Sequence, residues 1–343
     1  EGQWTHVVSW KGARQKFSKV ILPIQKENLK GQISRGGTDE LQDRGEELKI
    51  HGTLKIELQG DVELESFSFE VGKKESYDTF SEKIKKIPYG GDYNPEQWPE
   101  EVWEEDMRLF KLAGIDCVTL NVFSWAALQP SEDTYCFERL DRIMELVRKN
   151  DLQVILATST AAHPAWMARK YPEVLRTNFE GMKRKFGDRH NSCPNSAIYR
   201  KYSARLARKL AERYQNYDNI IAWHVSNEYG GECYCENCER GFRKWLKEKY
   251  GTMEELNRVW NTSFWGHTFY DWGEVPAPSM LSEHFERERT TFQGISLDYK
   301  RFFSDSVLEC YKTEYQEIKA VTPKIPVTTN MMGFYKNLDY QKW

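Results

Sequence analysis

The sequence predicts an α/β protein: a (β/α)8 TIM barrel, incomplete with about five strands present, preceded by a small β-sandwich-like segment. Three observations carry this. From Ile87 onward, short apolar runs of strand length alternate with longer amphipathic stretches of helical period. The run Ile220-Ile221-Ala222-Trp223-His224-Val225-Ser226 is apolar on both faces and leads directly into Asn227-Glu228-Tyr229-Gly230-Gly231. That is how a buried parallel strand reads when it delivers a carboxylate to the mouth of a barrel. Upstream, Leu54–Leu58 and Val62–Val71 alternate apolar with polar around Gly60-Asp61, a period-two pattern with a tight turn.

Residues 1–85 form the first expected domain, a β-rich segment similar to the C-terminal half of a carbohydrate-binding jelly roll. No motif in it specifies a sugar, and a purely structural sandwich fits equally. Residues 86–343 form the second, the partial barrel. Strands are expected at Ile87–Tyr93, Ile115–Phe123, Leu152–Thr158, Ile220–Ser226 and Ile325–Asn330. Helices are expected at 100–113, 137–150, 197–214, 236–250, 252–261 and 292–321. Right-handed crossovers close such a series into a barrel, and five strands leave two edges without neighbours. The sequence accordingly reads as part of a barrel, truncated at both ends.

The composition excludes several classes. A formal net charge of −3 in 343 residues offers no basic surface for nucleic acid. No stretch approaches the roughly 18 apolar residues of a membrane span. Glycine-rich nucleotide motifs and the GxSxG elbow are missing, which argues against phosphoryl transfer, dinucleotide and serine-hydrolase chemistry. Seven cysteines, an odd number with several isolated, do not form a secretory disulfide framework. A cytoplasmic, reducing location is expected, with secretion open because the chain begins at Glu1. Twelve tryptophans supply either large core residues or stacking faces for sugar rings.

Glycoside hydrolysis needs a carboxylic acid for the leaving oxygen and a second carboxylate on the opposite face of the sugar. Glu228 stands where a barrel strand presents its functional end, and enclosure among Trp223 and Tyr229 is the setting expected for a general acid. Asn227 is placed to hydrogen-bond a sugar hydroxyl. Cys233, Cys235 and Cys238 form C-x-C-x2-C, a spacing that closes on zinc with one further ligand. Cys193 is the leading candidate for it and His190 the runner-up. Such a closed site would staple two loops and leave no position for substrate. Arg189, in the same loop as Cys193, reaches either the active site or solvent. His163 reads as structural. The run Phe264-Trp265-Gly266-His267-Thr268-Phe269-Tyr270-Asp271-Trp272 either stacks a sugar or meets a neighbouring subunit.

Several of these stretches together resemble the family 42 glycoside hydrolases, β-galactosidases with a (β/α)8 catalytic domain. They are Tyr89–Trp98, Phe123-Ser124-Trp125 with Gln129-Pro130, Arg189–Pro194, Asn227–Gly231 with the cysteines after it, and Phe264-Trp265. The resemblance runs from about Ile87 to Trp343. It implies that Glu228 is the acid/base of a retaining double displacement, that Arg189 and Asn227 contact terminal galactose, and that Cys193, Cys233, Cys235 and Cys238 hold structural zinc. It implies that Trp265 lies near the substrate at a subunit contact, with a homotrimer as the complete assembly. The family's nucleophile is a glutamate after the seventh strand, and no residue here matches it, so the chain alone is expected to be inactive. Asp339 follows the fifth strand and is not that residue. The other readings are a non-catalytic galactoside-binding protein and a glycosidase for related sugars, an α-L-arabinopyranosidase or β-D-fucosidase.

Overall fold

A computed structural model describes residues 84, 86–282, 293–333, 335 and 337–343. The expected sandwich falls outside the described residues, apart from residue 84. Five parallel strands lie side by side in chain order: β1 (Gly90–Tyr93), β2 (Cys117–Leu120), β3 (Gln153–Ala157), β4 (Ile220–His224) and β5 (Val327–Thr328). The register runs Tyr93, Leu120, Leu156, Trp223, Val327 across the sheet. A bulge between β3 and β4 shifts the pairing after Val154.

The strands are close-packed for reasons visible in their residues. All five residues of β4 are buried, as a strand covered on both faces requires. At the edge of β1, a Cβ on Gly90 would stand 1.7 Å from the Cys117 carbonyl oxygen. Only glycine lets those two backbones come so near.

Helices α1 (Trp103–Ala113), α3 (Glu138–Lys149), α5 (Ala197–Tyr214), α6 (Glu236–Tyr250), α7 (Met253–Trp260) and α8 (Gln293–Val321) occupy the expected places. Two short ones, α2 (Trp125–Leu128) and α4 (Ala165–Lys170), sit within loops and are too brief for periodicity to announce. α3 buries Leu140, Ile143, Met144 and Val147, one face at helical spacing. α1 ends on Gly114 in a left-handed C-cap. The Ser196 hydroxyl accepts the Tyr199 amide and starts α5. The long α8 packs mainly against α5, with smaller contacts to α7 and α6.

β5 is shorter than the expected 325–330 because Pro326 has no amide to donate. Pairing nonetheless continues around it: Trp223 donates to the Pro326 carbonyl and Val225 to that of Thr328, both at 2.8 Å. Tyr229 and Met331 form a further parallel bridge beyond the strands. This extension carries the β4 loop and the chain after β5 side by side to the functional end.

Candidate active site

The loops that follow the strands are joined to one another by side chains. Ser124, after β2, donates from its hydroxyl to Glu96 after β1 at 3.0 Å, and its amide donates to Ser159 after β3 at 3.2 Å. The Ser226 amide, after β4, donates to the Thr158 hydroxyl after β3 at 2.9 Å. Asn330, after β5, completes the series by accepting the Glu228 amide at 2.6 Å. Its Nδ2 donates to Asn227 Oδ1 at 2.9 Å. Each loop is thus fixed by its neighbour in the strand order.

This clamping has an energetic purpose. Ser226 has φ +56° and Glu228 φ +43°, left-handed conformations that cost side-chain-bearing residues about 1–2 kcal/mol apiece. Both amides are captured from outside the turn, one by Thr158 and one by Asn330, so the surroundings hold what the local backbone resists. The result turns the Glu228 side chain into the rim, half-buried, while Asn227 is buried beside it.

Arg189 reaches Glu228. Its Nη1 stands 2.7 Å from Glu228 Oε2, and its guanidinium lies over the Phe123 ring at 5.9 Å. No hydrogen is aligned with that oxygen, so the contact is a close ion pair without a directed hydrogen bond. The structure places Arg189 beside Glu228, with its side chain still half exposed. The expected enclosure of Glu228 by Trp223 and Tyr229 is corrected. Trp223 is buried and donates to Thr322, while the buried Tyr229 ring packs against Trp343. The groups that meet Glu228 are the Arg189 cation and the Asn330 amide.

Behind the rim, Arg176 is buried and bridges two loops. Its Nε donates to the Ser192 carbonyl and its Nη1 to the Gly230 carbonyl, each at 2.8 Å. His163 is buried and His190 partly so, and desolvation pushes each imidazole down to about 4, with Arg176 adding to the effect. They are therefore neutral at physiological pH. His163 Nδ1 shares a hydrogen bond with Ser192 Oγ at 2.7 Å, the structural role expected of it. Burial likewise lowers His224, opposed by a hydrogen bond with Asn330.

The thiols of Cys193, Cys233, Cys235 and Cys238 converge, all four sulfurs lying within 4.8 Å of one another. Cys193 Sγ is 3.4 Å from both Cys235 Sγ and Cys238 Sγ, and none of the four is in a disulfide. Four thiolates about 2.3 Å from a tetrahedral zinc would sit roughly 3.8 Å apart, so the donor set fits that ion. Cys193 supplies the fourth sulfur; His190, the runner-up, lines a neighbouring cavity with Arg176 and Tyr229. Asn195 Nδ2 donates to Cys238 Sγ at 3.4 Å, an outer partner of the kind that orients a metal ligand. The cluster joins the loop after β3 to the loop after β4, as its spacing led one to expect.

Residues 92–343 match the model of glycoside hydrolase family 42, described as beta-galactosidase. The chain belongs to this family. It is 63% identical over 264 residues to beta-galactosidase BgaP of Planococcus sp. (strain L4), covering 77% of this chain and 39% of that protein. Beta-galactosidase LacZ of Heyndrickxia coagulans is 49% identical over 266 residues, 76% of this chain and 39% of that one. The crystal structure of beta-galactosidase from Bacillus circulans sp. alkalophilus matches with a TM-score of 0.76 and 64% identity. It too is covered over 39% of its length, by 77% of this chain. The chain thus spans about 39% of the length of these relatives.

Within the family 42 frame, Glu228, Asn227 and Arg189 are brought together and Trp265 is not. Trp265 is exposed, stacked on Phe264 at 4.7 Å, in a loop tied to α7 by Asn257. No hydrogen bond or ring contact among the described residues links it to Arg189, Asn227 or Glu228. Sequence reasoning missed Asn330, Arg176 and Glu314. Glu314 had a signal: Phe303, Val307, Cys310, Glu314 and Ile318 follow one helical stripe, and every other member of it is apolar and buried. Arg176 and Asn330 carried none. Among the described residues, no helix is long and apolar enough to cross a membrane.

Proposed function

We propose that this chain carries the acid/base half of a retaining β-galactosidase that releases terminal β-D-galactosyl residues from oligosaccharides. The observation that carries the reading is the placement of Glu228. It stands after β4 in a turn clamped by Thr158 and Asn330, beside Arg189 and Asn227. In the first step the Glu228 carboxyl gives its proton to the glycosidic oxygen as the bond to the anomeric carbon breaks. A nucleophilic carboxylate about 5–5.5 Å away on the opposite face takes that carbon. Glu228, now a carboxylate, then removes a proton from the water that releases galactose. Arg189 Nη1 stays 2.7 Å from Glu228 Oε2 and holds the carboxyl in place between these steps. Asn227, with its Oδ1 held by Asn330, keeps its amide N–H groups for a sugar hydroxyl.

The nucleophile is proposed to be a glutamate supplied by sequence outside these 343 residues, which leaves the chain alone without turnover. Glu228→Gln in a protein that contains both carboxylates should lower kcat on a poor-leaving-group galactoside by about 10²–10⁴-fold. Azide should restore part of the rate; undiminished turnover would overturn the assignment. The coverage of 39% of its relatives favours one second reading, galactoside binding without hydrolysis by this chain. Turnover by a protein that contains both carboxylates supports the first reading; galactose binding by calorimetry with no turnover in that protein supports the second. A panel including α-L-arabinopyranosides and β-D-fucosides tests which sugar with an axial C4 hydroxyl is preferred.

Structural zinc held by Cys193, Cys233, Cys235 and Cys238 is part of the proposal. The ion would neutralise the thiolates and cross-link two loops, with no open position for substrate. A reducing, cytoplasmic location accords with this use of cysteine. A homotrimer is the proposed complete assembly, and the exposed Phe264, Trp265 and Tyr270 are the surface offered to it.

A further inference from the structure

Glu314, on α8, is a carboxyl with no exposed surface and no ion-pair partner among the described residues. Both of its oxygens accept from Thr160 Oγ1, at 2.8 and 2.9 Å. Thr160 Oγ1 is 3.1 Å from Thr158 Oγ1, and Thr158 Oγ1 accepts the Ser226 amide at 2.9 Å. A hydroxyl has one proton to give. When Glu314 is ionised, Thr160 gives its one proton to the carboxylate, so Thr158 donates to Thr160 while accepting the Ser226 amide, and the chain of donors ends on Glu314. The direction is thus set by the charge on Glu314.

Glu314 is therefore connected to the turn that presents Glu228, two residues beyond Ser226. Other titratable groups face it from each packed element. Tyr199 comes from α5, where its hydroxyl donates to the Thr160 carbonyl at 3.0 Å, and Tyr229 from the β4 loop; both are buried. Cys310 lies one turn earlier on α8, where Arg176 and Arg200 act on it. None of these supplies a charge that pairs with Glu314.

We propose that Glu314 is a positioning residue: its carboxylate anchors the Thr160–Thr158 relay that holds the Ser226 amide, and thereby sets the turn carrying Asn227 and Glu228. This rests, for its catalytic meaning, on the galactosidase reading given above. A glutamate on the core stripe of α8 does nothing for packing that leucine would not do better. Its use is the fixed acceptor it provides. Burial pushes its carboxyl up to about 7, with the two threonines pulling the other way, so the anchor switches state in the neutral range.

The test needs no substrate. In the 343-residue chain the Ser226 amide resonance should titrate with a midpoint near pH 7. The titration should vanish from Ser226 in both Glu314→Gln and Thr158→Val, two substitutions that keep shape. A Ser226 amide that is flat between pH 5.5 and 8.5, or that titrates unchanged in Glu314→Gln, overturns the relay. In the enzyme with both carboxylates, each variant should lower kcat roughly tenfold with KM nearly unchanged. The wild-type rise of kcat through pH 7 should disappear in Glu314→Gln. An intact relay with unchanged kcat in the variants overturns the positioning role. Wild-type enzyme without galactosidase activity would strike the functional reading and leave the amide titration standing.

Discussion

Asn330 accepts the Glu228 backbone amide at 2.6 Å, joining the end of β5 to the loop after β4. The same side chain donates to Asn227 at 2.9 Å, so one amide group orders both members of the Asn-Glu pair. Because Glu228 is held at φ +43°, loss of that acceptor frees a strained turn to relax. Asn330→Ala is expected to reduce kcat/KM on an aryl galactoside by about 10–100-fold in the enzyme with both carboxylates. Asn330→Asp keeps the acceptor for Glu228 but loses the donor to Asn227, and should fall between the two. Equal loss in both variants would mean that the backbone contact is irrelevant.

The thiol cluster predicts a metal-dependent fold. Four sulfurs within 4.8 Å and without a disulfide repel one another as thiolates unless a cation joins them. Purified protein should contain close to one zinc per chain. Cys235→Ser, or prolonged chelation, should lower the melting temperature, and added zinc should restore it only in the chelated wild type. Metal-free protein that melts at the same temperature as the untreated sample would refute the site.

The barrel strands and the position of Glu228 were legible because their signals are local. β4 is a nearly continuous apolar run, and C-x-C-x2-C places three thiols within six positions of the chain. The fourth sulfur, Cys193, was legible only as one of two candidates, since its choice over His190 depends on how the β3 loop folds. Asn330 and Arg176 act through contacts with residues 102 and 54 positions away, Glu228 and Gly230. No periodicity encodes such pairs. Glu314 lies between these cases: its place on the apolar stripe of α8 was visible, whereas Thr160, its partner 154 residues earlier, was not. The apolar setting expected for Glu228 failed for a related reason. The strand pattern fixes where the residue stands, and a distant loop supplies Arg189 opposite it.

Two glycines separate conformational strain from steric conflict. Gly231 and Gly266 have nearly the same left-handed φ, +69° and +71°. A Cβ on Gly231 would stand 2.4 Å from Arg176 Nη1, while one on Gly266 meets nothing within 4 Å. Gly266→Ala should cost about 1–2 kcal/mol, the price of the backbone alone. Gly231→Ala should cost more, by about 1–3 kcal/mol, because Arg176 must leave the Gly230 carbonyl. Urea midpoints measure both, and equal losses would mean that Arg176 can move freely.

Two buried carboxylates on α8 should bend the stability curve in opposite directions. Asp298 accepts from Lys249, Tyr250, Trp260 and Arg301. Burial works against its charge, but these donors together lower its carboxyl below the ordinary range. Its contribution is therefore present above the unfolded value and lost as pH falls through the folded one, in acid. Glu314 has no such donors beyond two hydroxyls, and burial raises it from 4.5 to about 7. The folded state then binds more protons than the unfolded state between those values, so stability declines as pH rises through that window, by about 3 kcal/mol. Urea unfolding between pH 5 and 8.5 should show this decline in the wild type. Asp298→Asn should lower the whole curve over that range without changing its slope. Glu314→Gln should remove the slope and leave the protein more stable at pH 8, even though the relay to Ser226 is broken. A carboxylate that weakens the fold at working pH and whose replacement strengthens it is retained for what it holds in place. A slope unchanged in Glu314→Gln would assign the pH dependence to another group.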